Sequence, residues 1–234
     1  MAEPRTNGES TGWLLAIDTS TEQAGLSLTD GERTAELLWP AGRTHTVTVL
    51  PQIEHLLRLC GTARDTLGAV AVATGPGTFT GLRVGLSIAK GLAMARDLPL
   101  IGVPTLDIAA APYAAAQTPV VVVLAAGRGR IVWAAYGHDG GFGLRHGPVN
   151  TLGEALVDWL RGQPPMLVVG ELDAGLGGAL RAAGHSRVEE RALSWRRPSA
   201  LAAIGWHRWQ AGEIDDAASL EPVYLHAARG ATTP

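Results

Sequence analysis

One cysteine in 234 residues, Cys60, excludes an intrachain disulfide framework and suits a reducing compartment. It sits late in an apolar helical pattern, where the expected role is a buried spectator rather than a nucleophile. Long hydrophobic runs are missing as well. The longest in the middle of the chain, VVVVLAA at 120–126, falls far short of the ~20 residues that cross a bilayer. The polar start, MAEPRTNGESTG, has no apolar signal-peptide region. A soluble, cytoplasmic protein with no membrane partner is expected. Charge of one sign is not in excess: 19 Lys and Arg against 22 Asp and Glu give a net charge of −3, with no general pull toward nucleic acid or an anionic membrane.

Several catalytic signatures are also absent. None of the seven histidines forms an HxxxH or HExxH pair, and His45 and His55, ten apart, lie about 280° apart around a helix. The one G-x-S-x-G string, GESTG at 8–12, lies in the polar start and not at the strand-to-helix elbow that a nucleophile needs. The turn Gly75-Pro76-Gly77 is not followed by the lysine that a Walker loop requires. The arginines at 187, 191, 196 and 197 are interrupted by Glu189 and Glu190, a poor continuous phosphate track.

What is present is a globular composition, 46% hydrophobic and 18% charged, in a chain long enough for a substantial core. The pattern predicts strands over 13–18, 24–30 and 32–39, the last two flanking the hairpin pair Asp30-Gly31. A helix over 46–60 follows, with Pro51 in its first turns or kinking it, then a strand over 69–74, a helix over 80–96 and a strand over 100–103. A helix of small residues over 105–116 leads to a second round: strands over 119–126, 130–137 and 142–149, a helix over 151–161, a strand over 166–170, a helix over 173–183 and a strand over 186–189. A last helix over 199–211 carries Trp206 and Trp209 three apart on one face, for core packing, and 219–225 reads as extended. Each half thus reads strand, strand, strand, helix, strand, helix, strand. That order implies two α/β lobes, each a mixed sheet flanked by helices. The divisions are a disordered tail at 1–12, an N-terminal lobe at 13–104 and a C-terminal lobe at 105–198. A terminal helix and tail follow at 199–225, with that helix's return to the first lobe left open, and a flexible end at 226–234.

The stretch ATGPGTFTGLRVGLSIAKGLA, 73–93, poses the central question. Its helix bears only Arg83, Lys90 and Arg96 as charges, and small residues Gly81, Gly85, Ala89 and Ala93 recur every four positions beside a second row, Ser87, Gly91 and Ala95. Interior glycines cost a helix about 1 kcal/mol each relative to alanine, so a close-approaching backbone should compensate. One face can cover the sheet; the other is expected to meet the helix at 46–60 and a second protein. Its N-terminus, capped by Thr78 or Thr80, could instead hold an anion, with Asp18, Thr19, Gly75 and Gly77 as weak binding candidates.

AIDTSTEQAGLSL at 16–28, GPGTFTGLRVGLSIAKGLA at 75–93, IGVPTLD at 101–107 and EPVYL at 221–225 closely resemble the TsaB family. The resemblance implies the two-lobed actin-like, Hsp70-like (ribonuclease-H-like) fold. It implies a non-catalytic scaffold and activating subunit of the machinery that forms N6-threonylcarbamoyladenosine at position 37 of tRNA. The partners implied are the catalytic sister subunit TsaD, the ATPase TsaE, a second copy of this chain when it is alone, and tRNA only through the complex. Pairing would use Val47, Val49, Leu50, Ile53 and Leu57 on the first helix and Arg83, Leu86 and Lys90 on the second.

In kinases of the same superfamily an aspartate at the place of Asp18 helps hold a metal–nucleotide complex. The preferred reading here is that Asp18 and its following hydroxyls tie down a tight turn, because one carboxylate without a second is a poor Mg²⁺ site. TsaB relatives usually carry Asp-Ala-Arg where this chain has Ala125, Ala126 and Gly127. The two metal-binding histidines of TsaD relatives fall on Thr105 and Ala109. No cofactor, metal or catalytic residue is therefore expected. The rival classes are a small-molecule kinase of this fold, such as a type III pantothenate kinase, and a zinc peptidase.

Overall fold

The computed structural model describes residues 12–42, 44–184, 186–190 and 194–225, and within them the chain builds one five-stranded sheet twice. Apart from Gly12, the tails expected at 1–12 and 226–234 lie outside the described residues. In the first half, β1 (Trp13–Asp18), β2 (Gln23–Thr29) and β3 (Thr34–Pro40) form an antiparallel meander. Helix α1 (His45–Leu59) then leads to β4 (Leu67–Gly75), which pairs parallel to β1. Helix α2 (Phe79–Arg96) leads to β5 (Leu100–Pro104), giving the order β3-β2-β1-β4-β5.

After helix α3 (Thr105–Ala110) the plan repeats. Strands β6 (Val120–Gly127), β7 (Arg130–His138) and β8 (Phe142–Leu152) form the meander, followed by α4 (Gly153–Arg161), β9 (Leu167–Gly170), α5 (Ala174–Ala183) and β10 (Arg187–Val188). The order β8-β7-β6-β9-β10 matches the first sheet position by position. Helix α6 (Pro198–Gln210) closes the regular structure. This is the expected two-lobed α/β fold.

The alternation of AVAVA in β4 sets the thickness of the first lobe. Val70 and Val72 face α1 and α2, packing with Leu15, Ile17, Val49, Ile53, Leu56 and Leu86. Ala69, Ala71 and Ala73 face the other way and receive α6 through Leu201, Ala202 and Trp209. Gly205 lets that approach happen, because a Cβ on it would stand 2.6 Å from the Cβ of Ala71. Trp206 meets Trp209 edge-on at 5.2 Å and lies over Gly31. In the second lobe α4 and α5 cover one face and α3 the other, the latter through Leu106, Ala109 and Ala110. The connecting helix of each half therefore shields the opposite lobe's inner side, so β1, β4, β6 and β9 are apolar on both faces.

The region of α3 differs from its sequence pattern. The helix expected over 105–116 stops at Ala110 and tightens to a 3₁₀ turn at Ala111–Tyr113. Ala111 keeps helical dihedrals, but Pro112 supplies no N–H to bond the Ile108 carbonyl one turn back. Pro51 is the seventh residue of α1, at the end of its second turn and on its exposed side.

Candidate functional site

The end of β1 and the start of α2 fit together backbone to backbone. Thr19 Oγ1 donates to the Gly81 carbonyl at 2.6 Å, and the Thr78 N–H donates to the Ser20 carbonyl at 2.6 Å. A Cβ on Gly77 would come within 2.2 Å of the Ser20 carbonyl oxygen, on Gly81 within 2.1 Å of the Thr19 oxygen, and on Gly85 within 2.3 Å of Thr19 Oγ1. The backbone that compensates for these glycines is thus the chain's own turn at Thr19–Ser20. Gly91 differs: it is exposed, and nothing lies within 4 Å of its would-be Cβ. Behind the turn, the His45 ring donates from Nε2 to the Thr21 carbonyl at 2.9 Å, a carbonyl being able only to accept.

Asp18 is buried at the centre of this arrangement. Its Oδ1 accepts from the Ser20 N–H at 3.0 Å and from the Ser20 hydroxyl at 2.6 Å, as the turn reading expects. Its main partner comes from 178 residues away. Arg196 Nε stands 2.5 Å from Asp18 Oδ2, and its Nη2 donates to Thr21 Oγ1 at 3.1 Å. Its Nη1 donates to Glu171 Oε1 at 3.1 Å. Burial alone would raise the Asp18 pKa; the Arg196 charge and hydrogen bonds, with those of Ser20, overcome it and hold the carboxyl below its usual range. The carboxylate is committed to the chain's own guanidinium.

Sequence reading did not find Arg196 or Glu171 as partners of Asp18. No local pattern could have done so, because the three residues come from segments of different lobes, and Arg196 reads in sequence as one of a broken run of arginines.

The facing turn of the second lobe offers no carboxylate, with Ala125, Ala126 and Gly127 at the end of β6. Arg130 is spent on Asn150, donating to its Oδ1 at 2.8 Å and its carbonyl at 2.7 Å. The space beside Pro76, Gly77, Ala125 and Ala126 is about 110 Å³, well under the roughly 300 Å³ of a small ligand pocket. The C-terminal segment crosses it: the Val223 N–H donates to the Thr74 carbonyl at 2.7 Å, and Asn150 Nδ2 donates to the Leu225 carbonyl at 2.8 Å. Gly75, with φ +118°, sits where a Cβ would meet the Val223 oxygen at 2.4 Å. Of the anion candidates, Asp18 and Thr19 are thus engaged by hydrogen bonds within the chain, and Gly75 and Gly77 are packed against backbone. At the N-terminus of α2, Thr78 is the cap residue but its side chain makes no capping bond, and Phe79 stacks on Tyr224 at 5.3 Å.

Thr105 and Ala109 are buried, Thr105 with an unpartnered hydroxyl. Among the described residues, no three His, Cys, Asp or Glu side chains gather as a metal site, and no helix is long and apolar enough to cross a membrane. Burial pushes the Cys60 thiol up, away from reactive thiolate.

The residues expected to face a partner divide into two groups. Val49, Ile53, Leu57 and Leu86 are enclosed by their own lobe, and that expectation is corrected for these four. They are the α1 and α2 positions whose side chains point at the β1–β4 core, and the sheet needs more of each helix than the pattern suggested. Gly81, Gly85 and Ala89 are likewise buried within the lobe. Val47 and Leu50, in contrast, are 68% and 51% exposed on the outer side of α1, with Leu59 at 64% and Met94 of α2 at 73%. Arg83 and Gly91 are exposed and Lys90 is half-buried on α2, whose outer row Arg83, Ser87, Gly91 and Ala95 recurs every four residues.

A family model described as TsaD, tRNA N6-adenosine threonylcarbamoyltransferase, matches residues 40–141. The tRNA threonylcarbamoyladenosine biosynthesis protein TsaB of Bacillus subtilis (strain 168) is 30% identical over 231 residues, 92% of this chain and 94% of the relative. The chain belongs to the TsaB family. The TsaB of Escherichia coli (strain K12) is 41% identical over 138 residues, a match spanning 57% of this chain and 58% of the relative's length. A crystal structure from Pseudomonas aeruginosa, described as an uncharacterized protein with similarity to peptidase YeaZ, superposes with a TM-score of 0.76 at 26% identity over 92% of this chain and all of that one. The TsaD-like match at 40–141 takes in both α1 and α2, so this TsaB-family chain shares its helix pair with the TsaD pattern. TsaB membership does not favour the kinase alternative, and neither does an Asp18 already bound to Arg196.

Proposed function

We propose that this chain is a non-catalytic partner subunit of the machinery that makes N6-threonylcarbamoyladenosine at position 37 of tRNA. The observation that carries the reading is the uncovered outer side of α1 and α2. Val47 and Leu50, three apart on one helix, and Met94 on the other are exposed apolar side chains, with the row of small residues beside Met94. Such a surface suits close packing of a second helix pair. The chemistry would reside in the sister subunit TsaD, which this chain binds and supports. The small space beside Pro76 and Ala125 and an aspartate neutralised from within agree with that division of labour. TsaE would join the same assembly, tRNA would be met through the complex, and the chain alone would pair with a second copy through the same helices. The setting is the cytoplasm, and the lobes divide at residue 104.

The test is size-exclusion chromatography of this chain mixed with TsaD from the same cell, followed by assay of tRNA modification. Charges belong at Val47 and Leu50. At Val49 or Ile53 they would test folding instead, since both side chains lie in the core. Val47→Glu with Leu50→Glu should abolish the heterodimer and the modification while the thermal midpoint stays within a few degrees. A heterodimer that survives this double change removes the basis for the reading.

A further inference from the structure

Arg196 touches both lobes at once. Its guanidinium binds Asp18 and Thr21 beside β1 in the first lobe and Glu171 just past β9 in the second. The other oxygen of Glu171 accepts from the Ala125 N–H on β6 at 3.1 Å. The central strands of the two sheets are therefore joined end to end through three side chains and one backbone N–H. The planar fork of an arginine offers five donors in fixed directions, so it serves acceptors on both sides of a cleft together. The Arg196 side chain is only 5% exposed, so its ion pairs are little screened by salt. The flanking residues hold it in place: Arg197 pairs with Glu36 of β3, the Ser199 N–H donates to the same carboxylate at 3.1 Å, and Pro198 occupies the space that Gly25 leaves.

Two-lobed proteins commonly close around a ligand, with hinges absorbing the motion. Here the groups that bridge the cleft all belong to the chain. We propose that Arg196 is a built-in latch that holds the two lobes at one fixed closure without a bound ligand. The latch grips the Thr19–Ser20 turn through Asp18, and that turn seats α2 at Gly77, Gly81 and Gly85, so lobe closure and the position of α2 are set together. This property belongs to the isolated chain and does not rest on the pairing with TsaD.

The experiment measures distances between spin labels on exposed Glu32 and Asp139, one in each lobe, in a Cys60→Ser background, with hydrogen exchange at the Ser20 amide read in parallel. The parent should give one narrow distribution, unmoved by Mg-ATP. Glu171→Ala cuts the latch on the second-lobe side only: it should broaden the distribution while Ser20 protection stays at the parent level. Arg196→Met cuts both sides: it should broaden the distribution and speed Ser20 exchange at least about tenfold, a local opening rather than global unfolding. If Arg196→Met does not fold, Glu171→Ala carries the test on its own. A Glu171→Ala distribution that superimposes on the parent overturns the latch, as does a parent distribution that is broad or that shifts on adding Mg-ATP.

Discussion

Gly81 and Gly91 lie ten residues apart on one helix, and alanine should act on them with opposite sign. At Gly81 the new Cβ would have to displace the Thr19 backbone oxygen from 2.1 Å, and no side-chain rotation relieves that. Overpacking of this kind costs roughly 1–3 kcal/mol. At Gly91 there is open space, the backbone is helical, and the gain approaches about 1 kcal/mol from helix propensity and a less disordered unfolded chain. Urea unfolding of the two variants, at a protein concentration low enough for the chain to be monomeric, should therefore bracket the parent midpoint, Gly81→Ala below and Gly91→Ala above. Sequence showed that these glycines needed a neighbour and could not show which. The four-residue spacing is the same whether the neighbour is the chain's own Thr19 or another protein, and only the packing separates Gly81 and Gly85 from Gly91.

At the scale of elements, the strands and helices were largely legible, because hydrophobic period and turn chemistry agree along most of the chain. Asp30-Gly31 marks the first hairpin and AVAVAT a doubly covered strand. The orientation of α1 was less legible. Val47, Val49, Leu50, Ile53 and Leu57 are all apolar, so composition does not say which stripe faces the sheet; 49, 53, 56 and 57 do, and 47 and 50 do not. This predicts a contrast in the stability of the monomer, measured below the concentration at which copies pair. Val49→Glu places an unpaired carboxylate in the core and should leave the chain largely unfolded at 25 °C, a cost of several kcal/mol against a total of about 5–15. Leu50→Glu, already half in water, should stay within about 0.5 kcal/mol of the parent. Far-ultraviolet circular dichroism during thermal melts distinguishes the two.

For the whole molecule, the twofold repeat of sheet order was visible as a repeat of pattern, whereas the join between the halves was not, since a contact 178 residues long leaves no periodic trace. That join has a definite acid signature. Asp18 titrates below its unfolded value, near 3.9, when folded, so its ion pair contributes fully above that pH. The contribution fades as pH falls through the lower folded value. Asp18→Asn removes it at every pH and leaves Arg196 with Glu171 and Thr21. Breaking a buried pair from one side costs about 3–5 kcal/mol. The stability difference between parent and Asp18→Asn should therefore be near the lower end of that range and flat from pH 8 to about pH 5, then shrink only below about pH 4. Denaturant titrations at a series of pH values read this directly. A difference that instead vanished on raising the pH would have the wrong sign for a carboxylate held ionised by Arg196. One near zero at every pH would mean that the Asp18–Arg196 pair contributes nothing net to stability.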